Sequence, residues 1–117
     1  MIYKVALAST DGKIVNQHFG HAEKFHIIEI DDNYRYLETR LVSACCKGNE
    51  HEISAFELVA EALRDVQAIV VSRIGKGASD YMESKGFVIY EAPYPIDAVM
   101  DKIVTEKWYD TDNWPLR

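Results

Sequence analysis

The stretch Phe25-His26-Ile27-Ile28-Glu29-Ile30, followed by Asp31-Asp32-Asn33 and then by residues 34–42, decides the fold of this chain. Two β-prone runs flank a short polar turn, which predicts a β-hairpin over Phe25–Val42. The second strand of a hairpin runs antiparallel to its first strand. A sheet that contains this hairpin is therefore not purely parallel.

The segments on both sides of the hairpin alternate between strands and helices. Before it, residues 2–8 predict an apolar strand that ends at the turn signal Ser9-Thr10-Asp11-Gly12. After it, apolar residues at helical spacing predict a helix over 54–63, and Ala68–Val71 is typical of a strand buried on both faces. The order continues with a helix over 78–85, a strand over 87–90 and a helix over 95–104.

The order β-β-β-α-β-α-β-α predicts an α/β fold with three layers, similar to the core of ribonuclease H. The last three strands and their helices form βαβ units, which favour parallel strands and right-handed crossovers. The sheet is then five-stranded and mixed, with strand two antiparallel and helices on both faces. A chain of 117 residues suits one domain. We assign residues 1–105 to that domain and residues 106–117, with Trp108, Tyr109 and Trp114, to a C-terminal tail.

Composition and charge exclude several classes of partner. The formal net charge of −6 argues against a nucleic-acid or anionic-membrane surface. No apolar run is long enough to cross a bilayer, and the amino terminus lacks the pattern of a signal peptide. The adjacent Cys45 and Cys46 would form only a strained disulfide. We therefore expect a cytoplasmic protein with free thiols.

Three segments are expected to converge at one edge of the sheet. Strands one, three and four point the same way in this topology, so the loops after their carboxyl ends share one rim, where open α/β sheets bind ligands. The first loop carries His18-Phe19-Gly20-His21. The other two segments are Ala44-Cys45-Cys46-Lys47-Gly48 and Ser72-Arg73-Ile74-Gly75-Lys76-Gly77.

Each rim segment has both a chemical and a structural interpretation. On spacing alone, His18 and His21 are equally compatible with a metal site and with a turn. A cysteine beside Lys47 could supply one soft ligand, or both cysteines could be small buried side chains. The amides around Gly75 and Gly77 could attract an anion with Arg73 and Lys76, or serve only a strand-to-helix turn. His26 and His51 are expected to be structural or solvent-facing.

Catalytic patterns are absent from the sequence. A two-metal nuclease needs several carboxylates on the sheet, but the run Val5-Ala6-Leu7-Ala8 has none, and Asp11 and Glu29 alone are too few. No Ser-His-Asp order or nucleophile elbow is present. We therefore expect a non-enzymatic protein.

The order and spacing of these motifs resemble a family that matures the nitrogenase cofactor, which includes NifX, NifY and the C-terminal domain of NifB. The resemblance covers residues 1–104 and rests on Asp11-Gly12, on His18-Phe19-Gly20-His21-Ala22 with Phe25, on Cys46-Lys47-Gly48 and on Ser72–Gly77. It implies a ribonuclease H-like fold without nuclease activity. It also implies binding of an iron–molybdenum cofactor, or its iron–sulfur precursor, and transfer between donor and acceptor assembly proteins during nitrogen fixation.

The resemblance assigns the residues of the predicted cofactor site. His18 is the best candidate ligand of a cluster metal, and His21 or Cys46 is the second candidate. Cys46 stands where many NifB-like domains carry Y-C-x-G-G, but here Cys45 and Asn49 replace the tyrosine and the second glycine. The remaining predicted contacts to an anionic cluster are Phe19, Gly20, Arg73, Gly75, Lys76 and Gly77.

Two other functions remain open at this point. The chain could bind a single transition-metal ion through His18 and His21. It could also be a cofactor-free interaction or regulatory module, with the aromatic residues of the tail docking on a partner. The sequence does not fix the oligomeric state.

Overall fold

The computed structural model describes residues 3–31, 33–42 and 52–105, with side chains from residue 56 onward in the last range. The predictions for Cys45, Cys46, His51 and the tail from residue 106 lie outside the described residues. The described elements, in chain order, are β1 (Tyr3–Ala8), β2 (Lys24–Ile30), β3 (Tyr34–Leu41), α1 (Glu52–Ala62), β4 (Ala68–Val71), α2 (Lys76–Ser84), β5 (Val88–Glu91) and α3 (Ile96–Thr105).

The five strands form one mixed sheet in the order β3-β2-β1-β4-β5. The predicted hairpin is confirmed, because β2 is antiparallel to both β1 and β3. The predicted parallel pairing is confirmed as well, since β4 is parallel to both β1 and β5. As a result, the carboxyl ends of β1, β3, β4 and β5 all lie on the same side of the sheet, which is the predicted rim.

Apolar side chains cover both faces of the sheet and create three layers. On one face, Ala6, Ile27 and Ile69 pack with Phe56 of α1 and Met82 of α2. On the other face, strand residues pack against one stripe of α3, formed by Ile96, Val99, Met100 and Ile103. All four residues of β4 are buried, as predicted for a strand covered on both faces. None of the described helices is long and apolar enough to cross a bilayer.

The observed bounds of α2 and β5 differ slightly from the predicted ones. Helix α2 begins at Lys76 rather than Ala78, because Gly75 occupies its N-cap and Gly77 is tolerated in the first turn. At its other end, the Phe87 amide donates to the Met82 carbonyl at 3.2 Å and the Gly86 amide donates to Glu83 at 3.0 Å. This pairing is a Schellman motif, and Gly86 has the positive φ of 98° that it requires. Because Phe87 closes the helix, β5 starts one residue later than predicted.

Three elements are joined across the α1/α2 face of the sheet by an ion-pair network. Arg40 of β3 donates to both carboxylate oxygens of Asp65, at 2.6 and 2.9 Å, and to the Ala62 carbonyl at the end of α1 at 3.0 Å. Lys4 of β1 donates to Asp65 at 3.1 Å. The hydrogen bonds from Arg40 are the main reason that the pKa of Asp65 lies well below its usual range.

The Asp65 network makes a testable contribution to stability. A carboxylate with a depressed folded pKa stabilises the fold above its unfolded pKa of about 4, and this stabilisation is lost as the pH falls through the lower folded pKa. For Asp65→Asn we expect a loss of about 1 kcal/mol at pH 7, a value discounted because the pair is partly exposed. Urea unfolding at pH 7 and at pH about 2 measures the effect. An unchanged difference between wild type and variant at the two pH values would contradict the assignment.

Candidate functional site

The long loop between β1 and β2 is held against the carboxyl end of β4. The Ser72 amide donates to the Gln17 carbonyl at 3.0 Å, and the Phe19 amide donates to the Arg73 carbonyl at 2.8 Å. These bonds flank a parallel bridge between His18 and Arg73. The predicted convergence of the histidine loop and the Arg73 segment at one rim is therefore present in the structure.

The same loop is also tied to the segment that follows β5. The Val15 amide donates to the Tyr94 carbonyl at 3.0 Å, and the Ile96 amide donates to the Lys13 carbonyl at 2.8 Å. Ile14 and Pro95 form an antiparallel bridge between these two bonds. The loop is consequently fixed by main-chain bonds at its beginning and at its centre, although it contains no β-strand of its own.

Asp11 and Gly12 shape the turn that begins the loop. One Asp11 carboxylate oxygen accepts from the amides of Lys13 at 2.9 Å and Ile14 at 3.3 Å, and these bonds lower the pKa of Asp11. Gly12 has a φ of 74°, and a Cβ at this position would lie 3.3 Å from the His26 ring. The turn therefore requires glycine for its backbone conformation and for the close approach of His26.

His18 and His21 lie on either side of a buried anchor. Residues Phe19–His21 form a single 3-10 turn, in which the His21 amide donates to the His18 carbonyl at 3.0 Å. Phe19 is 2% exposed and packs against Phe56 of α1 with 6.0 Å between ring centroids, whereas His18 and His21 are exposed. Phe19 is thus a core residue that presents both histidines to solvent. The predicted contact between Phe19 and a cofactor does not fit its burial.

The two histidine rings are close enough to serve one ligand. Their centroids lie 6.3 Å apart and their planes are inclined at 48°. A metal-bound imidazole nitrogen lies about 2 Å from the ion, so rings at this separation can serve neighbouring metals of one cluster, and they can share one ion once an exposed ring turns its nitrogen toward the other. Among the described residues, no group of three or more His, Cys, Asp or Glu side chains could hold a metal ion. The described residues therefore supply two nitrogen donors to this site, His18 and His21.

The segment that enters α2 carries the positive side of the rim. Arg73, Gly75, Lys76 and Gly77 are exposed, and the N-cap residue Gly75 makes no side-chain cap. The first amides of a helix have no partner within it and bear partial positive charge. A Cβ on Gly75 or Gly77 would meet no atom within 4 Å. Neither glycine is required for packing, so the space beside these amides is open to a ligand.

Two carboxylates bond to groups of this segment. Glu91, the last residue of β5, accepts from the Ile74 amide at 2.8 Å. Lys76 pairs with Asp80 at 3.0 Å across one turn of α2, and both side chains are largely exposed. A surface pair of this kind is worth less than about 0.5 kcal/mol, so Lys76 can exchange Asp80 for a bound anion. We did not predict the role of Glu91, although its position directly after the apolar run 87–90 places it at the rim.

A small cavity lies between the loop and the hairpin at the same edge. Its volume is about 450 Å³. Its lining residues are Thr10, Gln17, Glu23, Lys24, Leu41 and Val42. Val42 is the last described residue before residues 43–51.

His26 is structural, as predicted. One ring nitrogen bonds to the Ser9 carbonyl at 3.1 Å and the other bonds to the Thr39 hydroxyl at 2.9 Å. Because a carbonyl only accepts, Nε2 carries the proton and Nδ1 accepts from Thr39. Glu29 is also structural, since it pairs with Arg35 at 2.6 Å.

Comparison with known proteins gives one consistent result. The family model described as dinitrogenase iron-molybdenum cofactor matches residues 1–106. FeMo cofactor biosynthesis protein NifB of Frankia alni is 35% identical over 106 residues, which cover 87% of this chain and 20% of that protein. NifB of Herbaspirillum seropedicae is 34% identical over 83 residues, covering 70% of this chain and 16% of that protein. The chain spans about a fifth of the length of these curated relatives.

A solved structure has the same fold. The crystal structure of a Methanocaldococcus jannaschii protein, described as a candidate dinitrogenase, superposes with a TM-score of 0.59 and covers 90% of each chain. The two sequences are 22% identical. This likeness concerns the architecture alone and supports the mixed α/β fold.

Within His18-Phe19-Gly20-His21, substitution of the buried Phe19 should lower the stability far more than substitution of the exposed His18. Truncating a buried phenylalanine leaves a cavity, so Phe19→Ala is expected to lower the free energy of unfolding by about 3–5 kcal/mol. His18→Ala removes an exposed ring and should change it by less than about 0.5 kcal/mol. Urea unfolding of both variants checks this difference. A large destabilisation by His18→Ala would assign that ring a structural role instead.

Proposed function

We propose that this chain, which belongs to the dinitrogenase iron-molybdenum cofactor family, binds an anionic iron–sulfur or iron–molybdenum cluster, or its precursor. It then passes this cargo from a donor to an acceptor among the metallocluster assembly proteins. In this proposal the chain is a carrier and not an enzyme. The names of its relatives place them in FeMo cofactor biosynthesis, which supports this cargo.

The observation that carries the proposal is the main-chain pairing between Phe19 and Arg73 at 2.8 Å. It brings two exposed imidazoles next to an exposed guanidinium and to the open amides that begin α2. Imidazole can ligate iron, and the cationic segment can donate charge-assisted hydrogen bonds to the sulfides of a cluster. A ligand that contains metal and carries negative charge needs both the imidazoles, which bind the metal, and the cationic segment, which offsets the charge.

The small number of protein donors favours a preformed cluster over a single ion. A resident tetrahedral ion needs three or four protein ligands, whereas the described rim supplies His18 and His21. A cluster brings its own sulfide ligands, so one or two protein ligands are enough to hold it. Few ligands on an open surface also allow release, which a carrier requires. A single-ion site remains the second candidate, because the two rings are 6.3 Å apart.

His18 should be required for cluster binding. After anaerobic incubation with an iron–sulfur cluster precursor and desalting, we expect His18→Ala to retain much less iron and sulfide than wild type, and His21→Ala to lose less. His26→Gln is the matched control, because both ring nitrogens of His26 are already bonded, to Ser9 and Thr39. Equally low iron retention by wild type and His18→Ala would refute the proposal. Stoichiometric binding of free iron or zinc that requires both histidines would support the single-ion candidate.

Gly77 offers a second test that leaves the fold intact. A methyl group at this position meets no protein atom within 4 Å. Alanine also has a higher helix propensity than glycine, by up to about 1 kcal/mol, so Gly77→Ala should not lower the free energy of unfolding. The methyl group would obstruct a cluster that contacts the first amides of α2. We therefore expect reduced cluster retention with unchanged or higher stability, and undiminished retention would remove these amides from the site.

A further inference from the structure

Strand β3 forms an open edge of the sheet. In the order β3-β2-β1-β4-β5 it lies at one end, and no strand of the described chain pairs with its outer side. It is the longest strand, with eight residues, whereas β5 at the other edge has four. Tyr36 and Leu41 are 58% and 76% exposed. A long edge strand with exposed apolar residues can pair with another strand.

A β-bulge at Leu37 determines which side chains of β3 lie on each face of the sheet. Ile27 pairs with Glu38, but the next residue, Ile28, pairs with Tyr36, so Leu37 is an extra residue. Such a bulge shifts the alternation of side chains by one position. The side chains of Arg35 and Glu38 therefore lie on the same face of the sheet, although they are three residues apart.

Contacts within the chain confirm these faces. On the α1/α2 face, Arg40 bonds to Asp65 after α1, and Arg35 bonds to Glu29. On the α3 face, Tyr34 bonds to Asp101 of α3 at 3.2 Å. Thr39 lies on that face too, since it bonds to His26 and to Tyr36.

We propose that β3 pairs with β3 of a second copy of this chain, antiparallel and about a two-fold axis between Tyr36 and Leu37. When two copies of the segment Tyr34-Arg35-Tyr36-Leu37-Glu38-Thr39 lie antiparallel, each residue of one copy faces a suitable residue of the other. Arg35 then faces Glu38 of the second copy twice, Tyr34 faces Thr39 twice, and Tyr36 faces Leu37 twice. Opposite charges, and aromatic side chains facing aliphatic ones, are favourable cross-strand pairs.

Neighbouring registers of the same strand pair are unfavourable. A two-fold axis at Leu37 places Tyr36 opposite Glu38, and these side chains point to different faces. An axis between Leu37 and Glu38 places Arg35 opposite Arg40, which are like charges on one face. An axis at Glu38 places two glutamates opposite each other. The bulge and the charge pattern thus favour the proposed register over these three.

Both charged side chains have room for a partner. Arg35 is 74% exposed at its side chain and Glu38 is 52% exposed. Arg35 uses part of its guanidinium for Glu29, and a guanidinium has five donors. Glu38 accepts from Arg40 of its own strand through Oε2 alone, which leaves Oε1 for Arg35 of the second copy. Since the paired segment is short and its charges are solvated, association should be reversible and weakened by salt.

Sedimentation of the wild-type chain over a range of concentrations tests the pairing. We expect a shift from 13.4 kDa toward twice that mass as the concentration approaches about 0.5 mM. Glu38→Lys places a lysine opposite Arg35 twice and should raise the dissociation constant at least about tenfold. Glu57→Lys is the control, because it makes the same charge change at an exposed position of α1. A wild-type chain that stays at one-chain mass, or equal weakening by both variants, would overturn the proposal.

A mixing experiment tests the register itself. Arg35→Glu is made together with Glu29→Gln, because Glu29 is only 7% exposed and would otherwise face a new carboxylate. Alone, this variant and Glu38→Lys should each be monomeric. Mixed in equal amounts they should form a dimer, since both cross-strand pairs become complementary. Slower amide hydrogen exchange in β3 but not in β5 of the mixture would support edge pairing, and failure to associate on mixing would refute this register.

Discussion

The rim of this protein depends on the main-chain pairing of residues 17–19 with residues 72–73, in which the Phe19 amide donates to the Arg73 carbonyl at 2.8 Å and the Ser72 amide donates to the Gln17 carbonyl at 3.0 Å. It joins a loop from one side of the central strand β1 to the exit of β4 on its other side. Without it, His18 and His21 would be two exposed side chains on a long connection. With it, they share a surface with the start of α2. The side chain of Phe19 supports this pairing, because its burial against Phe56 prevents the loop from lifting away.

At the rim, buried side chains and main-chain bonds hold the loop, while the residues of the proposed site are exposed. The loop between β1 and β2 takes its rigidity from buried or main-chain groups: Phe19, the turn at Asp11 and Gly12, and the bonds to Tyr94 and Ile96. The chemically useful groups, which are the imidazoles and the cationic side chains, remain in solvent. A carrier of a metal cluster requires this division, since its ligands must be positioned before the cargo arrives and accessible when it leaves.

The hairpin has a second consequence at the far edge of the sheet. Its outer strand β3 contains a bulge at Leu37, which brings Arg35 and Glu38 to one face. A regular strand would have placed them on opposite faces, and the segment would not then match its own reverse. The proposed pairing uses residues 34–39 of β3, whereas the proposed cargo site uses the loop between β1 and β2 and the start of α2.

Sequence alone determined the element types, their order and the mixed sheet, because apolar periodicity and the polar turn at Asp31–Asn33 are local signals. It also predicted that the loop with His18 and the segment from Ser72 to Gly77 meet at the rim, since the ends of parallel strands lie on one side of the sheet. The tertiary structure decided what each residue does there. Phe19 proved to be a core anchor and His26 a structural link, while Glu91 holds the Ile74 amide. The bulge at Leu37 could not be predicted, because it depends on the exact register between β2 and β3. The pairing of residues 17–19 with 72–73 could not be predicted, because it joins segments distant in the chain.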